Sequence, residues 1–226
     1  MVEQEAVNFE VAGSSPASRA KPRKTKSELL FGSDFLLPRI ELKPKWFFIC
    51  YDYVMKIYFV RHGKTDASTG DAISHDDPLN EEGMNQAKEI ALQLKDVHFD
   101  VVISSPLRRA TQTADAINIH HGLPITKDER WRERDLEKYM SLDAWDEAFN
   151  FNNKAALDGV EPLKDFFQRV YAALDDLKLK YDSKTVLVTS HGGVHHALYA
   201  YANKLPLKGN IRISRMAYCE CRIYEV

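Results

Sequence analysis

Several residues able to handle a phosphoryl group stand where the apolar runs of this chain stop. Ile57, Tyr58, Phe59 and Val60 lead into Arg61-His62-Gly63, Val101 to Ser104 leads into Ser105-Pro106-Leu107-Arg108-Arg109, and Thr185 to Thr189 leads into Ser190-His191-Gly192-Gly193. A phosphoryl group spreads its charge over three peripheral oxygens, and guanidinium forks match them in shape and sign. A neutral imidazole among such cations can attack phosphorus and split one difficult displacement into two easier ones. Glycine after each histidine lets backbone approach the anion without a Cβ in the way. One histidine at a strand end is usually a hydrogen-bonded core residue. Two of them, each followed by glycine and each ending a buried run, point to phosphohistidine chemistry.

These residues can meet only if the elements carrying them lie side by side. Continuous apolar runs such as Lys56 to Arg61 fit strands buried on both faces of a parallel sheet. Asn80 caps a helix running to about Lys95, with Met84, Ala87, Ile90, Ala91 and Leu94 at helical spacing. Ser105 is expected to cap a second helix, with Pro106 at its first position and Gly122 beyond its end. A short strand is expected at Ile125, a short helix from Leu142 to Phe149, and a longer one from Pro162 to Leu179 with Phe166, Val170, Ala173 and Leu177 on one face. The helix after His191 ends near Asn203. Tyr218 to Tyr224 supplies a last strand, with Cys219 and Cys221 on one face as core positions. Strands alternating with helices predict a three-layer α/β domain, a mostly parallel central sheet with helices on both faces. In such sheets function sits at the carboxyl ends of the strands.

The segment Phe59-Val60-Arg61-His62-Gly63-Lys64-Thr65 resembles the signature of the histidine phosphatase superfamily, also called phosphoglycerate mutase-like. Pro78 to Ala87 is similar to that family's PLTxxGxxQA segment, Ser104 to Ala114 to its SSPLxRAxQTA segment, and Ser190-His191-Gly192-Gly193 to its second-histidine motif. The four motifs keep the family's order. The resemblance implies that His62 is the nucleophile and that Arg61, Arg109, His191 and Gly192 hold the transferring phosphoryl group. Arg108, at the motif's variable position, is expected to be solvated.

The resemblance also bears on the proton donor. One branch of the family places an aspartate directly after its second histidine, whereas this chain has Gly192. The other branch uses a glutamate after the third strand, which maps onto Glu133, with Glu137 and Glu129 as competing carboxylates. A carboxyl facing a bound phosphate is favoured in its protonated form by the like charge. The mutases of this family carry a Trp-Asn pair and a Thr-Gly approach to substrate, where this chain has Ala67-Ser68 and Ala72-Ile73. The segment from Glu133 to Pro162 is compact, which implies a small lid and an open mouth. The reading is a metal-independent phosphomonoester hydrolase with no cofactor, of the non-mutase phosphatase branch, acting on a small phosphorylated metabolite or a phosphorylated protein side chain. The alternatives are mutase-type phosphoryl transfer and a catalytically weak module that binds phosphorylated ligands.

Composition bounds the rest. The chain has 226 residues, 31 basic against 33 acidic side chains and a net charge of −2, so it offers no general attraction to nucleic acid or to acidic membranes. The three cysteines, Cys50, Cys219 and Cys221, fit a reducing compartment. The first residues carry Glu3, Glu5 and Glu10 rather than a secretory signal, and the apolar stretch from Trp46 to Met55, broken by Asp52, is too short to span a bilayer. A cytoplasmic protein is expected. Residues 1–54, with a basic tract from Arg19 to Lys26, read as a disordered extension or a mis-assigned start, and residues 55–226 as the catalytic domain. His191, His195 and His196 have helical spacing, but no carboxylate or cysteine completes a shell, so no metal is expected. Oligomeric state is left open.

Overall fold

Alternation along the central strands sorts side chains into two cores. In β1 (Lys56–Arg61), Ile57 and Phe59 point to one face while Tyr58 and Val60 point to the other; β4 (Thr185–Ser190) does the same with Val186 and Val188 against Leu187. The first face is covered by α3 (Leu163–Lys180) and α4 (Gly192–Ala202), the second by α1 (Glu81–Leu94) and α2 (Arg108–Asn118). This computed structural model describes residues 54–66, 76–134, 136, 148–153, 159–212 and 214–226. The expected extension through Tyr53, the positions Ala67, Ser68, Ala72 and Ile73, Glu137, most of the expected helix before Phe149, and most of the lid segment lie outside the described residues.

The sheet order is β3-β2-β4-β1-β5, with β2 at Val101–Ser104, β3 at Ile125–Lys127 and β5 at Cys221–Glu225. All neighbours are parallel except β1 with β5. The three-layer, mostly parallel architecture is therefore as expected. Register then does the positioning. Arg61 lies opposite Ser190, so the next residue of each strand, His62 and His191, emerges side by side at the carboxyl edge. The His62 N–H donates to Ser190 O at 2.9 Å and the Ser105 N–H to Thr189 O at 2.9 Å, which extends the ladder one residue beyond the strands.

Asn80 caps α1 as expected, its Oδ1 accepting the Gly83 N–H at 2.8 Å. Three local expectations change. Met84 is 38% exposed, because the helix turns Gly83 inward, where α1 presses on the loop after β1. The second helix begins at Arg108 rather than Pro106, and Leu107 occupies its cap; Ser105 is drawn away by a tertiary partner described below. Cys219 lies in a turn before β5 with φ of 53°, although both Cys219 and Cys221 do pack on the α1/α2 core. Among the described residues, no helix is long and apolar enough to cross a membrane.

Candidate active site

At the carboxyl edge the two imidazoles stand with ring centroids 5.0 Å apart. His62 Nδ1 lies 2.7 Å from Gly63 O. A carbonyl can only accept, so Nδ1 carries the proton and Nε2 presents a lone pair. Arg109, on the first turn of α2, donates its Nε–H to that lone pair at 3.3 Å. Burial, followed by the positive charges of Arg109 and Arg61, holds His62 well below its ordinary range. The ring is thus neutral and nucleophilic.

Arg61 leaves the end of β1 and is held from several sides. Its Nη1 donates to Met216 O at 2.6 Å, its guanidinium carbon lies 4.0 Å from the centre of the Tyr218 ring, and Gly192 packs against it. A Cβ at Gly192 would stand 3.5 Å from Arg61 Nε, so the bare glycine leaves that edge of the guanidinium clear. Arg61 Nε is buried without a partner among the described residues. That donor is ready for an anionic oxygen. Gly192 also opens α4, where the first backbone N–H groups have no intrahelical acceptor.

His191 is fully buried, and its Nε2 is hydrogen bonded with the Ser105 hydroxyl at 2.8 Å. This bond explains why Ser105 does not cap α2 in the ordinary way: its Oγ is only a distant acceptor, 3.4 Å from the Leu107 N–H. His191 Nδ1 is buried and has no partner among the described residues. Burial, then Arg109, His62 and Arg61, push its pKa well down. Arg61, Arg109 and the two neutral imidazoles therefore gather at the carboxyl edge, a set that favours an anion.

Glu133 reaches this edge through the start of α4. It follows the short 3₁₀ turn Glu129–Trp131, and its Oε2 accepts the Gly193 N–H at 2.9 Å while its Oε1 accepts the Arg134 N–H at 3.0 Å. Each oxygen keeps a further lone pair for a proton. Glu129, the competing candidate, is 72% exposed and paired with Arg132 at 3.1 Å. Glu137 lies outside the described residues.

The remaining expectations resolve locally. Arg108 is exposed. The Lys64 ammonium pairs with Glu82 at 2.7 Å, so its charge is compensated at the pocket edge. His195 is spoken for: its Nδ1 lies 3.0 Å from Ser214 O and its Nε2 2.5 Å from the Tyr224 hydroxyl. His196 packs edge-on to Phe149 with centroids 5.7 Å apart. Among the described residues no group of three potential ligands is placed to hold a metal ion.

Two contributors had no place in the sequence reading. Tyr218 covers Arg61 and lies 5.8 Å from His62 between ring centroids. Thr113 accepts the Gly63 N–H at 3.2 Å, fixing the loop that carries the nucleophile. Thr113 sits one helical turn beyond Arg109, and that spacing within α2 was a readable signal. Tyr218 gave none, because it precedes a strand that pairs with β1 from the opposite end of the domain.

Residues 57–226 match the family model described as the histidine phosphatase superfamily (branch 1). An uncharacterized phosphatase, PhoE, of Bacillus subtilis is 34% identical over 146 residues, covering 63% of this chain and 74% of that protein. A probable phosphoglycerate mutase, GpmB, of Salmonella choleraesuis is 32% identical over 187 residues, covering 74% and 86%. Among solved structures, Bacillus stearothermophilus YhfR superposes with a TM-score of 0.66 at 27% identity, over 75% of this chain and 90% of that one. A mycobacterial glucosyl-3-phosphoglycerate phosphatase complexed with VO3 superposes with a TM-score of 0.64 at 26% identity, over 74% and 90%. The chain belongs to the histidine phosphatase superfamily, branch 1.

Proposed function

We propose that residues 55–226 form a phosphatase domain that hydrolyses phosphomonoesters through a phosphohistidine on His62, with Glu133 as proton donor. The observation that carries the reading is the Nδ1–H of His62 tied to Gly63 O, which leaves a neutral Nε2 beside two guanidiniums. Arg61, Arg109, His191 and the Gly192 N–H receive the phosphoryl oxygens. Nε2 forms the N–P bond as the P–O bond to the leaving group breaks, and Glu133 gives its proton to the departing oxygen. Water then attacks phosphorus, the N–P bond breaks, and Glu133 takes the water proton. Inorganic phosphate leaves and the site is restored.

The arginines supply the charge neutralisation that a metal would otherwise provide. Activity should therefore survive chelator and be inhibited by vanadate, a mimic of five-coordinate phosphorus. The substrate in this reading is a small phosphorylated metabolite. The named activity of the mycobacterial relative, on a phosphorylated small molecule, supports it. A cytoplasmic setting is part of the proposal: Cys219 and Cys221 are free thiols, both pushed up to about 12 by burial.

The test is release of inorganic phosphate by the full chain from an aryl phosphate, with a metabolite panel to find the natural ester. Phosphate release without added bisphosphoglycerate is expected. Rapid bisphosphoglycerate-stimulated interconversion of phosphoglycerates with little phosphate release would assign the mutase reaction instead. Binding without turnover would assign a phospho-ligand module.

A further inference from the structure

Arg132, Glu133 and Arg134 belong to neither helix nor strand. No backbone ladder holds the carboxylate in place, yet a proton donor misplaced by about 1 Å loses much of its effect. What holds the segment is a pair of guanidiniums. Arg169, on α3, donates from Nη1 to Arg130 O at 2.8 Å and to Arg132 O at 2.9 Å. Its Nε and Nη2 grip the two oxygens of Glu161 at 2.7 and 2.8 Å. Beyond Glu133, the buried Arg134 donates from Nε to Glu161 O at 2.8 Å and from Nη1 to Ala148 O.

The residues flanking Glu133 on both sides are thus tied to one anchor, Glu161. A guanidinium suits the task because it presents five donors in a fixed plane. The Phe166 ring, 4.7 Å from the guanidinium carbon, closes one face of that plane. None of the bonds recorded for Arg169 reaches Glu133, His62 or the other phosphate-binding groups. Its hydrogen bonds act through the backbone that carries Glu133; its charge also reaches His191 through space, an effect that Arg169→Lys preserves.

We infer that Arg169, locked by Glu161, is a positioning residue that sets the Glu133 carboxyl against the Gly193 N–H, where the proton is handed over. The inference rests on Glu133 being the proton donor. It predicts a signature that general damage to the fold would not give. A phenol of high pKa needs protonation as it leaves, whereas dinitrophenol departs without it.

The experiment measures kcat/KM of the full chain on phenyl phosphate and on dinitrophenyl phosphate, for Glu133→Gln, Arg169→Gln, Arg169→Lys and Glu161→Gln. Glu133→Gln should lower the phenyl value about 100-fold and the dinitrophenyl value less than about threefold. Arg169→Gln and Arg169→Lys should lower the phenyl value at least about tenfold with the same sparing of dinitrophenyl phosphate, and inhibition by inorganic phosphate should be unchanged. Glu161→Gln keeps half of the fork, is the mildest change to folding, and should tilt the ratio the same way. Equal losses on both esters, or no loss, in the Arg169 and Glu161 variants alone would overturn the positioning role. Equal effects in Glu133→Gln as well would overturn Glu133 as donor and the positioning role with it.

Discussion

Arg109 donates its Nε–H to Nε2 of His62 across 3.3 Å, so the cation that should receive the phosphate rests on the lone pair that should attack it. Arrival of a phosphoryl group offers Arg109 stronger, charge-assisted acceptors than a neutral imidazole. The same event that binds substrate therefore uncovers the nucleophile.

Removing Arg109 should then act on the transition state rather than on occupancy. Arg109→Ala is expected to lower kcat by about 100- to 1,000-fold, the range for loss of one preorganised donor. His62→Ala should abolish a trapped phosphoenzyme that is labile in acid and stable in alkali, as a phosphoramidate is. A rise in KM at unchanged kcat for Arg109→Ala would show uniform binding instead, and an alkali-labile adduct would exclude the phosphohistidine.

The protonation of His62 can be followed directly. Burial and the charges of Arg109 and Arg61 depress its pKa from 6.5, so its ring signals in an NMR titration should stay fixed as the pH falls through about 6.5 and move only well below. Bound inorganic phosphate, which leaves the Nε2 lone pair free, should move the titration upward, because an anion raises the pKa of the rings it touches. Titration of free His62 centred near 6.5 would contradict the site's electrostatics.

Two glycines separate stability from catalysis. Alanine normally favours a helix over glycine by about 1 kcal/mol, but a Cβ at Gly83 would fall 2.1 Å from Lys64 O, a backbone atom that cannot swing aside. Gly83→Ala should cost about 1–3 kcal/mol and lower the Tm by several degrees. A Cβ at Gly193 would collide with Glu133 Oε1, on a side chain that can swing aside, and would stand 2.9 Å from Cζ of the buried Phe149 ring. Gly193→Ala should lower the Tm less than Gly83→Ala, because no backbone atom blocks its Cβ, and should lose activity on esters with poor leaving groups. Thermal melts and aryl phosphate rates decide both.

Two further buried histidines make stability depend on acid. Burial first, then neighbouring arginines, lowers His196 to about 4 and His195 to about 3 from 6.5. Between those values and 6.5 the unfolded chain binds more protons than the folded one, so stability is full above about 6.5 and falls as the pH drops. For His196 the full effect is on the order of 3 kcal/mol. Denaturant melts across this range should show the decline, and His196→Phe should make it shallower. Equal slopes in variant and parent would mean that His196 titrates alike in both states.

The domain start is also testable. Met55 is 1% exposed and its carbonyl accepts the Val226 N–H at 3.1 Å, whereas Val54 is 39% exposed. A chain beginning at Met55 should keep its Tm and its kcat. A drop of several degrees would show that Trp46, Phe47 and Phe48 pack onto the domain.

What could be read from the sequence followed the range of the interactions involved. The apolar runs before His62 and His191 announced buried strands, and the Asn80 cap announced α1, because each depends on residues a few positions apart. Ser105 was misread by the same logic: its local pattern is that of a cap, but its hydroxyl is claimed by His191 across the sheet. The choice of Glu133 over Glu129 rests here on the Gly193 N–H, which no spacing within residues 129–133 encodes. Arg169 sits three residues after Phe166 and next to Val170, so a charge beside the apolar stripe of α3 was the available hint. Tyr218 gave no hint, since the turn before β5 meets Arg61 only after the sheet has closed.

The pairing of Arg61 with Ser190 has a kinetic consequence. The two imidazoles belong to strands joined by nearly the whole intervening domain, and a slip of one residue would turn one of them to the opposite face. Contacts of such long sequence separation form late and slowly. Refolding from denaturant should therefore recover helical circular dichroism before turnover, and the return of phosphatase activity would time the docking of β4 on β1 more faithfully than any measure of local structure.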